Sequence, residues 1–186
     1  MTLASMPTTF TPEDLLRLEK DEGLFELVDG KLVEKPMSFL ANRTASLIIR
    51  RLGDFAEKTH AGEVVPEQTF QCFAHEPGRV RIPDVAFVAA ARAAEIPDEG
   101  HARIAPDIAI EVISPGNKMY EFEEKLLDYQ KAGIKLVWEV NPKFRFIRVH
   151  RLQVAPERLE EADILTGEPV LPGFSILVKE LLPPVE

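Results

Sequence analysis

The stretch from Asp107 to Lys131, DIAIEVISPGNKMYEFEEKLLDYQK, constrains the fold more than any other part of the chain. Asp107 to Ile113 is an apolar run of strand length. Ser114-Pro115-Gly116-Asn117 breaks it sharply. From Lys118 to Lys131 the period becomes helical: Phe122, Leu126 and Tyr129 form an apolar stripe, Asn117 is placed to cap it and Gly133 to stop it. A strand, a tight break and an amphipathic helix in direct succession imply a sheet with helices packed on it.

The flanking segments agree with that frame. Thr11-Pro12-Glu13-Asp14 has the marks of a helix start, with a Thr cap, Pro at the first helical position and acids in the first turn, and the helix is expected to end near Gly23. Leu24–Val28 and Lys31–Glu34 alternate around Asp29-Gly30, which predicts a hairpin. Ser38 to Lys58 reads as a helix with Leu40, Thr44, Leu47, Ile48, Leu52 and Phe55 on one face. Val64–Phe73 and Val80–Val88 read as strands separated by a turn at His75–Gly78. Ala89–Gly100 is polar and irregular, with room for one helical turn. Leu136–Val140 and Phe144–His150 read as strands joined at Asn141-Pro142, with Trp138, Phe144 and Phe146 as core residues. The closing GEPVLPGFSILVKELL suggests a short strand or two and a final turn. The fold class expected is α/β or α+β, a mixed sheet flanked by helices, with residues 1–186 as a single domain.

Composition narrows the function. There is one cysteine, Cys72, which excludes an internal disulfide scaffold, and four scattered histidines do not make a Cys-rich zinc site. No apolar run approaches the ~20 residues of a membrane helix. The N-terminus lacks the basic flank and apolar stretch of a signal peptide, so the expected location is the cytoplasm. The net charge of −9 disfavours a generic nucleic-acid coat protein. It is unevenly spread: Lys118–Arg151 carries eight Lys and Arg against five Asp and Glu, which hints at a cationic face but equally fits ordinary solvated charge.

Two carboxylates stand inside apolar strands, Asp84 in RIPDVAFV and Glu111 in DIAIEVI. A buried carboxylate costs several kcal/mol unless something neutralises it. The plain solution is a Lys or Arg partner. The sharper one is a divalent cation, since Mg²⁺ takes one or two carboxylates with water and phosphate oxygens. Asp107 shares a strand face with Glu111, but four residues place it ~13 Å away, too far to share an ion. Asp84 comes from another strand, and neighbouring strands ~4.8 Å apart let it converge with Glu111. Without an ion such acids repel, which predicts a raised pKa for at least one. Lys125, fourteen residues beyond Glu111 on the following helix, can fold back into the same pocket, although Glu121–Lys125 is also an ordinary helical pair.

The succession FELVDGKLVE, RIPDVAFV, PDIAIEVISPGN and EEKLLDYQKAGIKLVWEVNP resembles the Uma family of restriction-endonuclease-like proteins, over about Thr11 to Leu182. The EVISP turn and the spacing of Lys125, Tyr129, Gly133 and Trp138 carry the resemblance. It implies a PD-(D/E)XK nuclease fold and a Mg²⁺- or Mn²⁺-dependent endonuclease acting on nucleic acid, DNA first. Pro83-Asp84 matches the superfamily's PD element and Glu111 its second acid. The superfamily's lysine falls at Ile113, so the resemblance implies that it has migrated to Lys125. Glu26 matches an early acid that completes the metal shell. The expected metal set is Asp84, Glu111 and the Val112 carbonyl, and the expected catalytic set Asp84, Glu111, Lys125 and Glu26. The His-bearing helix start of the superfamily is replaced by MSFLANR, and His60, His75, His101 and His150 are expected at solvent or edge positions. Tyr129 is read first as a core-edge aromatic and second as a phosphate donor.

Two rivals accompany this reading. One is a catalytically inactive nuclease fold serving as a nucleic-acid-binding or assembly module, which the net charge favours. The other is a metal-dependent hydrolase of small phosphate esters. By analogy with enzymes that cut both strands, a symmetric homodimer is expected.

Overall fold

A computed structural model of the protein describes residues 9–18, 23–35, 38–116 and 119–184. The elements run α1 (Pro12–Arg17), β1 (Phe25–Val28), β2 (Lys31–Glu34), α2 (Phe39–Thr59), β3 (Gly62–Pro66), β4 (Val85–Ala89), α3 (Ala90–Ala93), β5 (Ile108–Val112), α4 (Met119–Lys131), β6 (Leu136–Asn141), β7 (Phe146–Arg151), β8 (Glu157–Glu160), β9 (Ile164–Thr166) and β10 (Ser175–Leu177), with a closing 3₁₀ turn at Val178–Leu181. Six strands form one mixed sheet in the order β3-β4-β5-β6-β7-β8, parallel only between β5 and β6. The parallel step is the one that needs a crossover, and α4 supplies it. The expected α/β class is what the chain adopts.

Strand β5 lies at the centre and is buried at all five positions. Its alternation divides the two faces. Ile108, Ile110 and Val112 face a core built with Ile48 and Leu52 of α2, Trp138 of β6 and Phe174 near the C-terminus. Ala109 faces the other side, where Phe122, Leu126 and Tyr129 of α4 pack. Glu111 shares the parity of Ala109 and so falls under α4.

Several expectations needed correction. The strands read over Val64–Phe73 and Val80–Val88 are each interrupted. Glu67 takes a left-handed φ of 48° just after β3, and beyond it Phe70 makes only isolated bridges to Arg81 and Ala102. Pro83, lacking an N–H, separates a short paired segment at Val80–Arg81 from β4. In α2 the expected Thr44, Ile48 and Leu52 are buried, joined by Ala41 and Ala56, whereas Leu47 and Phe55 are half-buried and Leu40 is exposed. Phe144 is exposed in the β6–β7 turn, whereas Trp138 and Phe146 are core residues. Strand β8 was not anticipated: in ERLE only Leu159 is buried. Asn117 and Lys118, the expected cap and first helical residue, lie outside the described residues, as do 19–22 between α1 and Gly23.

The β1–β2 hairpin is turned by Asp29 and Gly30, both with positive φ, and a Cβ at Gly30 would collide with Thr9 Cγ2. It docks edge-on against Val80 through paired backbone bonds with Leu27. That docking brings Glu26 and the residue after β2, Lys35, to the face that α4 covers.

Candidate active site

The register fixes the two strand acids. Val85 of β4 pairs with Ile110 of β5, so one step further along the antiparallel pair Asp84 stands opposite Glu111, on the same sheet face. The ladder itself stops there. One Asp84 carboxylate oxygen instead accepts the Val112 backbone N–H, and Lys35 Nζ lies 2.7 Å from the other.

Glu111 points into the space beneath α4. Lys125 and Tyr129 are four residues apart and share the buried stripe of that helix. Lys125 Nζ lies 2.8 Å from Glu111 Oε1, 2.9 Å from its Oε2 and 2.7 Å from Glu26 Oε1. It also donates to the carbonyl of Ile82 at 2.9 Å, an oxygen that Lys35 reaches at 2.8 Å. Tyr129 donates its hydroxyl proton to Glu111 Oε1 at 2.6 Å. Glu26 accepts from the Ile82 N–H at 2.8 Å and from Arg81 at 3.0 Å. Two ammonium groups and three carboxylates therefore meet around one peptide, Ile82-Pro83. They line a cleft of about 210 Å³ whose rim includes Val33, Glu34, Tyr120 and Glu124.

Burial sets the protonation. It pushes the Glu111 carboxyl above its ordinary value, with Asp84 and Glu26 adding to the push and Lys125 and Lys35 opposing it. At Glu26 burial pushes the same way, but Lys125 and Arg81 overcome it and hold the carboxyl down at about 2. Burial works against the charge on Lys125, yet Glu111 and Glu26 win, and the amine is held above its ordinary value. Burial and the neighbouring Glu111 keep the Tyr129 hydroxyl protonated well past its usual range. The acids are thus not bare charges repelling one another, as the strands alone suggested: two lysines stand among them.

The structure brings Glu26, Asp84, Glu111, Lys125 and Val112 to this one cleft. Ile113, which the resemblance sets where a lysine is usual, packs beside the α4 core and lines the cleft wall. Glu26 accepts from Arg81 and the Ile82 N–H and lies against Lys125, so it anchors that ammonium in the cleft. Tyr129 is a buried aromatic, as first expected, and its hydroxyl is engaged by Glu111. Asp107 is apart, bonded to the Ala89 N–H and Arg92. His101 and His150 are buried, bonded to the Pro12 carbonyl and to Glu139, and not at solvent or edge positions as expected.

Sequence reasoning missed Lys35 and Arg81. Arg81 lies two residues before Pro83 and carries a visible signal: a guanidinium in an otherwise apolar strand needs buried acids, here Glu26 and Asp128. Lys35 carries none, since it sits in the polar sequence GKLVEKP at a strand end.

A family model described as Uma2, "Putative restriction endonuclease", matches residues 12–179. The chain belongs to the Uma2 family. A crystal structure of a putative nuclease belonging to DUF820 from Anabaena variabilis ATCC 29413 is similar in fold, with a TM-score of 0.77 at 22% identity, covering 92% of this chain and 97% of that one. Among the curated proteins none matches. The six-stranded mixed sheet with flanking helices is thus a fold this Uma2 member shares with that protein. No described helix is long and apolar enough to cross a membrane.

Among the described residues no three His, Cys, Asp or Glu side chains converge as metal ligands. The donors that do converge are hard oxygens, the carboxylates of Asp84, just before β4, and Glu111 of β5, with Val112 lining the same cleft. That set fits Mg²⁺ or Mn²⁺, which leave the remaining positions to water and phosphate, and does not fit a softer metal.

Proposed function

We propose that the protein is a metal-dependent nuclease hydrolysing phosphodiester bonds, a DNA endonuclease in the first instance. The observation that carries this reading is the meeting of Asp84, Glu111 and Lys125 in one cleft, from the start of β4, from β5 and from α4, which are distant in sequence. Family membership gives the reading its direction.

Asp84 and Glu111, with the Val112 carbonyl, would hold Mg²⁺ or Mn²⁺. When bound, the ion supplies a water of lowered pKa and stabilises charge on the phosphate. Tyr129 holds Glu111 from behind through Oε1, and Lys125 spans both its oxygens, so the carboxylate is fixed before any substrate arrives. Lys125 is kept protonated by Glu111 and Glu26, which suits it to donating a hydrogen bond to water or phosphate and offsetting developing charge, and not to taking a proton. Glu26 holds Lys125 from its other side, and Arg81 in turn holds Glu26.

The test is cleavage of supercoiled plasmid, linear duplex, single-stranded DNA and RNA with 10 mM Mg²⁺ or Mn²⁺, about a hundredfold over a Kd near 0.1 mM. Metal-dependent nicking lost in Glu111→Gln supports the reading. Metal binding without cleavage of any of these rejects the nuclease reading.

A further inference from the structure

We propose that Lys35 is a built-in counter-cation that holds Asp84 in place of a divalent metal ion, and that metal binds only by displacing it. The proposal rests on the metal-dependent reading of the cleft and adds what controls its loading.

The two lysines of the cleft are held differently. Lys125 lies between two carboxylates and a carbonyl, on the buried stripe of a thirteen-residue helix. Lys35 has one carboxylate, Asp84 Oδ1 at 2.7 Å, and one carbonyl, Ile82 at 2.8 Å, and it hangs from the end of a four-residue strand. Lys35 is as buried as Lys125, but it has one carboxylate to leave where Lys125 has two, and its four-carbon stem is flexible. The Asp84 oxygen it occupies is the one left open by the Val112 N–H, so a metal ligated by Asp84 and Glu111 competes for that oxygen.

Charge balance gives the exchange its direction. Glu26, Asp84 and Glu111 face Lys35 and Lys125, while Arg81 is shared with the Asp128 carboxylate. At the contacting atoms three carboxylates meet two ammoniums, and Glu34, Glu121 and Glu124 also line the cleft. A divalent ion on Asp84 beside the Lys35 ammonium would set two like charges on one carboxylate, and exchange for Lys35 removes that repulsion. Lys35 therefore sets a threshold: it stabilises the metal-free cleft and raises the concentration at which a divalent cation takes over.

The experiment is titration calorimetry of Mn²⁺ into the full chain, for wild type, Lys35→Met, Lys35→Arg and Asp84→Asn. Lys35→Met is expected to bind about tenfold tighter or more, since close charge pairs at part-buried sites couple by more than a decade of affinity. Lys35→Arg keeps the charge and is expected to show no gain, and Asp84→Asn to lose binding. Equal or weaker binding by Lys35→Met, with wild-type binding intact, overturns the displacement and leaves the metal reading standing. No Mn²⁺ binding by any variant overturns both. A second measurement needs no variant. Acylation of lysines in wild type, read by mass spectrometry, is expected to rise severalfold at Lys35 with saturating Mg²⁺ while Lys125 stays protected. Unchanged labelling of Lys35 at saturating Mg²⁺ overturns the proposal.

Discussion

Glu111 and Glu139 stand side by side in the parallel pair β5–β6, at partnered positions on the same face of the sheet, and both are buried. Their surroundings differ. Glu139 is held by Arg148, whose Nη1 lies 2.8 and 2.7 Å from its two oxygens, and by His150 at 3.0 Å. Arg148 is its cross-strand partner in β7, and His150 is two residues on, so the sheet ladder itself fixes the acceptor and both donors. Glu111 takes its partners from a different layer, Lys125 and Tyr129 of α4, and opens on the cleft it shares with Asp84 and Glu26. A carboxylate satisfied within its own sheet is a structural feature. A carboxylate whose donors come from a separate layer, with a second acid across the strand, is what the proposed function needs in a ligand.

Substitutions at the two glutamates test that contrast. Under the proposed function, Glu111→Gln is expected to lower metal-dependent cleavage by about 10³-fold, the scale of removing a group that stabilises developing charge. Glu139→Gln is expected to leave it within about threefold, since catalysis does not use it. A plasmid-nicking time course for both variants decides, and similar losses in the two would erase the distinction.

The next effect is on stability. Lys125→Met leaves Glu26 and Glu111 buried without their shared cation, and is expected to cost about 3–5 kcal/mol, read by urea unfolding. A cost under about 1 kcal/mol, typical of an exposed pair, would mean the ammonium is not what balances the two acids.

Acid pH probes the same cluster. The Glu26 carboxyl sits at about 2 in the folded protein against an ordinary 4.5. Its contribution is therefore fully present above about 4.5 and is lost as pH falls from there toward 2, on the order of 3 kcal/mol in all. Glu111, raised by burial, works in the opposite sense: its contribution is present below its ordinary value and is lost as pH rises through the folded one. Glu26→Gln is expected to flatten the acid limb of stability against pH, measured by unfolding between pH 2 and 6. An unchanged acid limb would place the titrating group elsewhere.

The smallest effect belongs to Glu139. Its pair with Arg148 is partly exposed, so Glu139→Gln is expected to lower stability by about 1–2 kcal/mol, against the larger loss at Lys125.

Much of this arrangement is legible in the sequence because burial and periodicity leave marks. Asp84 and Glu111 stand out as acids in apolar strands, and Lys125 falls on the stripe that Phe122, Leu126 and Tyr129 define. Glu139, in LVWEVN, bears the same mark as Glu111, so sequence pattern alone does not separate the structural acid from the candidate ligand. What separates them is pairing across strands and layers, which no local pattern encodes. Lys35 was invisible for a different reason. A lysine at the end of a polar hairpin strand reads as solvated, and only docking of that hairpin on Val80 buries it. The interruption at Pro83 is masked by the apolar residues on either side of it, whereas the polar Glu67-Gln68-Thr69 between Val65 and Phe70 carries a visible signal for the other.

One measurement bears on the central claim most directly: a crystal soaked in Mn²⁺, with anomalous scattering measured at the manganese edge. The account predicts a peak between the Asp84 and Glu111 carboxylates, at about 2.0–2.3 Å from their nearest oxygens, with the Lys35 ammonium moved off Asp84. No peak at that position under saturating Mn²⁺, with Lys35 still on Asp84, would contradict it.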